Sequence, residues 1–318
     1  MEKQAITDIE GWDRIYRPGV EIRAYPVAKW EHAWSLARQL RSDYNDYRAA
    51  LREETTPDMS PDRRSITFRA RIEHQPPLEA WTLAFGDALH NYRSALDGLA
   101  WELANLDGRT VAPEHERSLY FPLALSEKSW EKLKRTTLAS MPAVVLDRLS
   151  TVQPYRFEPV EEGIGLLLNK MSNLDKHRAG LSLELRVVDK TTFSIEFTPE
   201  DPNASHDYEY EFLAPDRSIR NGDVVFAFRE REPVKSARVD KLPMILGVEI
   251  DGRGHNVFEL LDMIERQVAG TFINACVGMP SGAWAKYLME GGGRPETAWY
   301  PNLARYSAEM RQAALSLE

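Results

Sequence analysis

The dominant periodicity of the chain changes at Gly180, and that change restricts the fold more than any single motif. Over most of the chain before it, apolar residues recur about every 3.6 positions, as on one face of a helix; from there to residue 250 they alternate with a period of about 2, as in a strand. The segments 181–188, 191–198, 207–213, 223–231 and 244–250 read as strands. Turn signals at Asp189-Lys190, Pro199 to Asn203, Asn221-Gly222 and Pro233 separate them. Asn256 then caps a strongly apolar helix to about Val277, through Val257, Leu260, Leu261, Ile264, Val268, Phe272 and Ile273. The predicted fold is α+β: a helical bundle with an antiparallel β-sheet of about five strands, a meander, inserted before the last long helix.

Before Gly180 the spacing predicts helices over about 26–54, 78–106 and 161–178, with shorter ones capped by Ser126 and opened by Pro142. Arg64 to His74 alternates and reads as one strand, while Pro57 and Pro61 make 55–62 a loop. The expected organisation is an N-terminal arm over 1–25, a helical part over 26–180, the sheet over 181–252, and helices over 253–318 that complete the bundle. Gly291-Gly-Gly293 is a hinge there, and a last amphipathic helix starts at about Asn302.

Two helices carry unusual polar ridges. In the first, Phe85, Leu89, Tyr92, Leu96, Leu99 and Leu103 form an apolar stripe opposite Asp87, His90, Arg93, Ser94, Asp97 and Trp101. A ridge that met only solvent would favour Lys and Glu, the better helix formers; this one predicts a second partner surface. In the helix over 161–178, Asn169, Asn173 and His177 stand at i, i+4 and i+8 on one ridge, with Leu167, Met171 and Leu174 opposite. Were the ridges to face each other, His90, Arg93, Asp97, Asn173 and His177 would converge.

That set suits acid–base chemistry on a phosphate ester. A histidine, with an ordinary pKa of about 6.5, exchanges protons at neutral pH. His177 would be the general acid/base and Arg93 the phosphate clamp. Asn173 and His90 would assist, and Asp97, one turn from Arg93, would fix its guanidinium. The same residues also suit a buried hydrogen-bonded network in which Arg93 pairs with Asp97 or Asp175 and the Asn side chains satisfy backbone groups, and such networks commonly imitate active sites. A metal site from Asp87, His90 and either Asp175 or His177 lacks the usual Glu-x-x-His pairs and would sit beside Arg93 and Lys176. No metal and no cofactor is expected.

Composition narrows the classes further. The net charge of −9 over 318 residues argues against sequence-independent nucleic-acid binding across the whole surface, although Arg63, Arg64, Arg69 and Arg71 lie close together. One cysteine, Cys276, excludes an intrachain disulfide and Cys-rich zinc modules. No stretch approaches the ~18 apolar residues of a membrane span, and residues 1–8 do not resemble a signal peptide; the expectation is a cytoplasmic protein with no membrane partner. Phosphate-loop and Gly-x-Ser-x-Gly signatures are missing.

The string from Pro76-Pro77 through Gly86-Asp-Ala-Leu-His-Asn-Tyr-Arg-Ser-Ala-Leu-Asp97 and Leu99-Ala-Trp101 resembles a family of uncharacterised bacterial proteins. Phe121-Pro122, Gln153-Pro-Tyr155 and Asn173-x-Asp-Lys-His-Arg178 fit the same pattern in the same order. The resemblance covers about residues 60–180 and implies no activity. A looser likeness is to HEPN domains, helical bundles that include metal-independent ribonucleases with an Arg, a polar residue and, a few positions on, a His in one helix. Here His90 precedes Arg93, His177 precedes Arg178, and Asp97 stands where the His belongs. The HEPN likeness implies a ribonuclease or phosphodiesterase of stress or phage defence, acting on RNA or a nucleotide as a homodimer. The alternative is a non-catalytic ligand- or protein-binding module whose polar helix motif is a structural core network.

Overall fold

The computed structural model describes residues 24–51, 55–72, 74–160, 163–176, 181–187, 195–203, 208–212, 218–239 and 244–277. The arm as far as residue 23, the 291–293 hinge, the helix expected from Asn302, and His177 lie outside the described residues. The fold is α+β, as the period change predicts. Helices α1 (Ala24–Ala50), α2 (Leu78–Ala104), α3 (Pro113–Glu116), α4 (Glu127–Arg135), α5 (Ala143–Ser150) and α6 (Ile164–Lys176) precede the main run of strands, and α7 (Val257–Val277) follows it. The strands are β1 (Thr55–Met59), β2 (Ser65–Ala70), β3 (Leu183–Val187), β4 (Ile195–Pro199), β5 (Tyr208–Phe212), β6 (Val224–Glu230), β7 (Val234–Val239), β8 (Met244–Ile250) and β9 (Arg253–Asn256). Among the described residues no helix is long and apolar enough to cross a membrane.

The chain divides into two compact units, each assembled from segments distant in sequence. One comprises residues 1–35, 87–176 and 262–318; the other comprises 36–86 and 177–261.

The first unit is helical. Trp30 of α1 packs its ring 5.0 Å from that of Phe272 on α7. Lys29 Nζ donates to Asn91 Oδ1 at 3.1 Å, and Asn91 Nδ2 donates back to the Asp87 carbonyl at 2.7 Å. A Cβ on Gly98 would lie 3.1 Å from Pro26 Cγ, so the missing side chain lets α1 and α2 approach closely. On the far side, Asn274 of α7 donates to the Arg148 carbonyl that ends α5, at 2.9 Å. Ser126 caps α4 in a reciprocal box with Ser129, which satisfies two of the amide groups that a helix start leaves unpaired. Burial on α2 is wider than a single stripe. Ala88, Leu89, Tyr92, Ala95, Leu96, Leu99 and Ala100 are all buried, and so are the polar Asn91 and Arg93. Each large apolar side chain so buried contributes ~1.5–3 kcal/mol.

The second unit holds the strands, and here the structure corrects the expected meander of about five strands. The strands form three antiparallel sheets, ordered β1-β2-β6-β5, β3-β8-β9 and β4-β7. β2 pairs with β6, more than 150 residues later, so that Ile66 faces Phe228 and Phe68 faces Phe226. The Phe68 and Phe226 rings stack at 4.5 Å. Three strands fall where none was expected. Residues 55–59 are β1 rather than loop: β1 is an edge strand, where Pro57 removes a donor that no neighbour needs. β7 starts one residue beyond the Pro233 turn signal, and β9 pairs with β8 across Asp251-Gly252. Both loop residues have positive φ, 52° and 74°, as a two-residue type I′ hairpin turn requires. Asn256 caps α7, its Oδ1 accepting from the Phe258 amide at 2.9 Å.

Within β3-β8-β9, Arg186 is buried and lies across two glycines. A Cβ on Gly247 would come within 2.7 Å of Arg186 Cδ, and one on Gly254 would collide with its guanidinium. Arg186 Nη2 bonds Glu249 Oε2 at 3.0 Å and also pairs with Glu184. Burial opposes the charge, but the bonds to the two carboxylates outweigh it and raise the Arg186 pKa.

Candidate functional site

Of the five residues the sequence singles out, Arg93 and Asp97 are brought together directly. They stand one turn apart on α2, and Arg93 Nη2 lies 2.8 Å from Asp97 Oδ1. Both then reach one residue of the segment that joins α3 to α4. Arg93 Nη2 donates to the Phe121 carbonyl at 3.1 Å, and the Phe121 amide donates to Asp97 Oδ1 at 2.8 Å. The ion pair therefore grips both backbone polar groups of Phe121, which would otherwise be buried without partners. Arg93 has only 9% of its side chain exposed. Burial pushes its pKa down, and Asp97 works against that shift. Its Nη1 is buried with no hydrogen-bond partner among the described residues.

His90 is half-buried on α2, Asn173 is exposed on α6, and His177 lies outside the described residues. Of the other metal candidates, Asp87 and Asp175 are exposed. Among the described residues no three His, Cys, Asp or Glu side chains gather as a metal ion would need.

A second clamp, missed as a functional element in the sequence, acts three residues beyond the first. Gln153 is fully buried. Its Oε1 accepts from the Ala124 amide at 2.9 Å while its Nε2 donates to the Leu149 carbonyl at 3.1 Å. The Tyr155 amide completes the grip on the Ala124 carbonyl at 3.1 Å. The Phe121-Pro122 and Gln153-Pro-Tyr155 motifs thus belong to one device: an irregular segment held by its backbone at residues 121 and 124. The legible signal was a glutamine beside a Pro-containing turn, a polar side chain with local backbone groups to satisfy.

Beside this segment the first unit has a cavity of about 280 Å³. Leu96, Phe121, Leu123, Pro154 and Ile164 supply apolar wall, and its rim runs through the exposed Phe157, Glu158 and Pro159. Gly165 also lines it, where a Cβ would press on Leu123 at 3.1 Å. Gln267 and Thr271 of α7 form a polar strip on the wall, with Thr271 Oγ1 donating to the Gln267 carbonyl at 2.8 Å. These two are polar residues one turn apart on the last helix, on the same face as each other. Among the described lining residues Glu158 is the one with a formal charge.

Comparison of the chain with family models, with curated proteins and with solved structures returns no match.

Proposed function

We propose that the chain is a binding module for a small ligand, and that its polar helix motif is scaffold. One observation carries this reading: Arg93 and Asp97 are committed to the backbone of Phe121, and Phe121 is a wall of the cavity. A phosphate clamp needs guanidinium donors turned toward an open cleft. Here one nitrogen of Arg93 serves Asp97 and Phe121, and the side chain is nine-tenths buried. The motif holds the wall and the cavity takes the ligand. At about 280 Å³ the cavity is near the lower end of the ~300–1,000 Å³ typical of ligand pockets, with the usual mix of mostly apolar wall and a few polar groups.

The test uses 4-dimethylaminobenzonitrile, an uncharged one-ring fluorophore of a size the cavity admits, whose emission rises in apolar surroundings. Its emission should rise on adding the wild-type chain. Leu123→Trp fills the cavity from its wall, and should weaken binding about tenfold or more while the melting temperature stays within a few degrees. A wild type that leaves the emission unchanged overturns the reading. So does cleavage of RNA in EDTA that His177→Ala abolishes at unchanged melting temperature, which would put the metal-independent ribonuclease in its place.

A further inference from the structure

We infer that the ligand is a compact apolar amine, bound as its ammonium ion with the charged end at Glu158. This rests on the binding-module reading and goes on to the chemistry of the occupant. The size comes from the volume: about 280 Å³, against a water's share of ~30 Å³, admits roughly ten non-hydrogen atoms, one ring with a short chain. The apolar part follows from Leu96, Leu123 and Ile164, with Phe121 and Phe157 adding aromatic wall.

The sign of the charge follows from the polar groups. Among the described lining residues there is no Lys, Arg or His, and the one charged group is the Glu158 carboxylate. Thr271 directs its hydroxyl hydrogen to the Gln267 carbonyl, which leaves its oxygen as an acceptor. Carboxylate and hydroxyl each present acceptors, the Gln267 amide offers an acceptor as well as donors, and an ammonium group offers three donors and no acceptor. Phe157 stands next to Glu158 at the rim, and an aromatic face attracts a cation. A phosphate or carboxylate would meet like charge at the rim with no lining cation to receive it. Glu158 is exposed, so solvent screens the attraction and the expected selectivity is modest.

Titration calorimetry with three matched probes decides it: phenethylamine, 2-phenylethanol and phenylacetate, which share a ring and differ in charge. The wild type should bind the amine best and the acid worst, about tenfold apart or more. In Glu158→Gln that spread should collapse while the alcohol binds as before, which separates the loss of charge from a loss of fold. Equal binding of all three, or preference for the acid, overturns the amine and leaves the cavity reading standing. Binding of none overturns it too, and the fluorophore then says whether the cavity reading falls with it: silence there removes both.

Discussion

Asp97 has two duties, and its removal should expose both. Asp97→Ala strands the buried guanidinium of Arg93 and the Phe121 amide at once. Removing one partner of a buried pair costs ~3–5 kcal/mol; Asp97 is 26% exposed, water can enter, and about 2–3 kcal/mol is the expected loss. The double variant Arg93→Met/Asp97→Ala no longer buries an uncompensated charge. Urea denaturation should therefore find it less destabilised than the sum of the single changes, by more than ~1 kcal/mol. Additive losses would mean that the two side chains act independently. The side-chain half of this cluster was legible in the sequence, because Arg and Asp one turn apart on a helix must be neighbours. The other half was not: the partner is a backbone, and an amide or carbonyl in an irregular segment looks the same in any sequence.

At the scale of elements, the β3-β8-β9 sheet separates two uses of glycine. Gly252 has φ of 74° and open space where a Cβ would go, so Gly252→Ala should cost only the left-handed penalty of ~1–2 kcal/mol. The cost of Gly247→Ala is set by Arg186, whose Cδ occupies the place of the new methyl group. We expect about 2–3 kcal/mol as the arginine is driven from Glu184 and Glu249. In an Arg186→Ala background the Gly247 change should become nearly neutral, and the Gly252 change should keep its full cost. Thermal melts of the four variants check this; an undiminished Gly247 cost would place the strain in the backbone. Elements with local signals were the legible ones: the Ser126 and Asn256 caps, the long helices and the alternating strands. The partition into three sheets was not, since β2 finds β6 across more than 150 residues and nothing near Ile66 names Phe228 as its partner. β9 had a readable signal in Asp251-Gly252 after an apolar strand; β1 was obscured by Pro57, which reads as a breaker until the strand is known to be an edge.

For the whole molecule, the consequence lies in how each unit is put together from the chain. Neither unit is a continuous stretch, and the helical one draws on residues 1–35, 87–176 and 262–318. A fragment ending at residue 180 would hold most of its helices but lack α7. Trp30 would lose the ring of Phe272, the helix end at Arg148 its donor from Asn274, and the cavity the wall carrying Gln267 and Thr271. We expect that fragment to show little cooperative melting by far-UV circular dichroism. A sharp transition near that of the full chain would show that α7 is dispensable to the helical unit.

The clamp on Phe121 grips peptide atoms, not the phenyl ring. Another residue at position 121 would offer Arg93 and Asp97 the same amide and carbonyl while presenting the cavity with a different surface, and Leu123 stands between the two clamped residues without being held by either. Holding the wall and shaping the cavity surface are therefore tasks of different atoms. The surface at positions 121 and 123 can be rewritten without redrafting the frame that carries them.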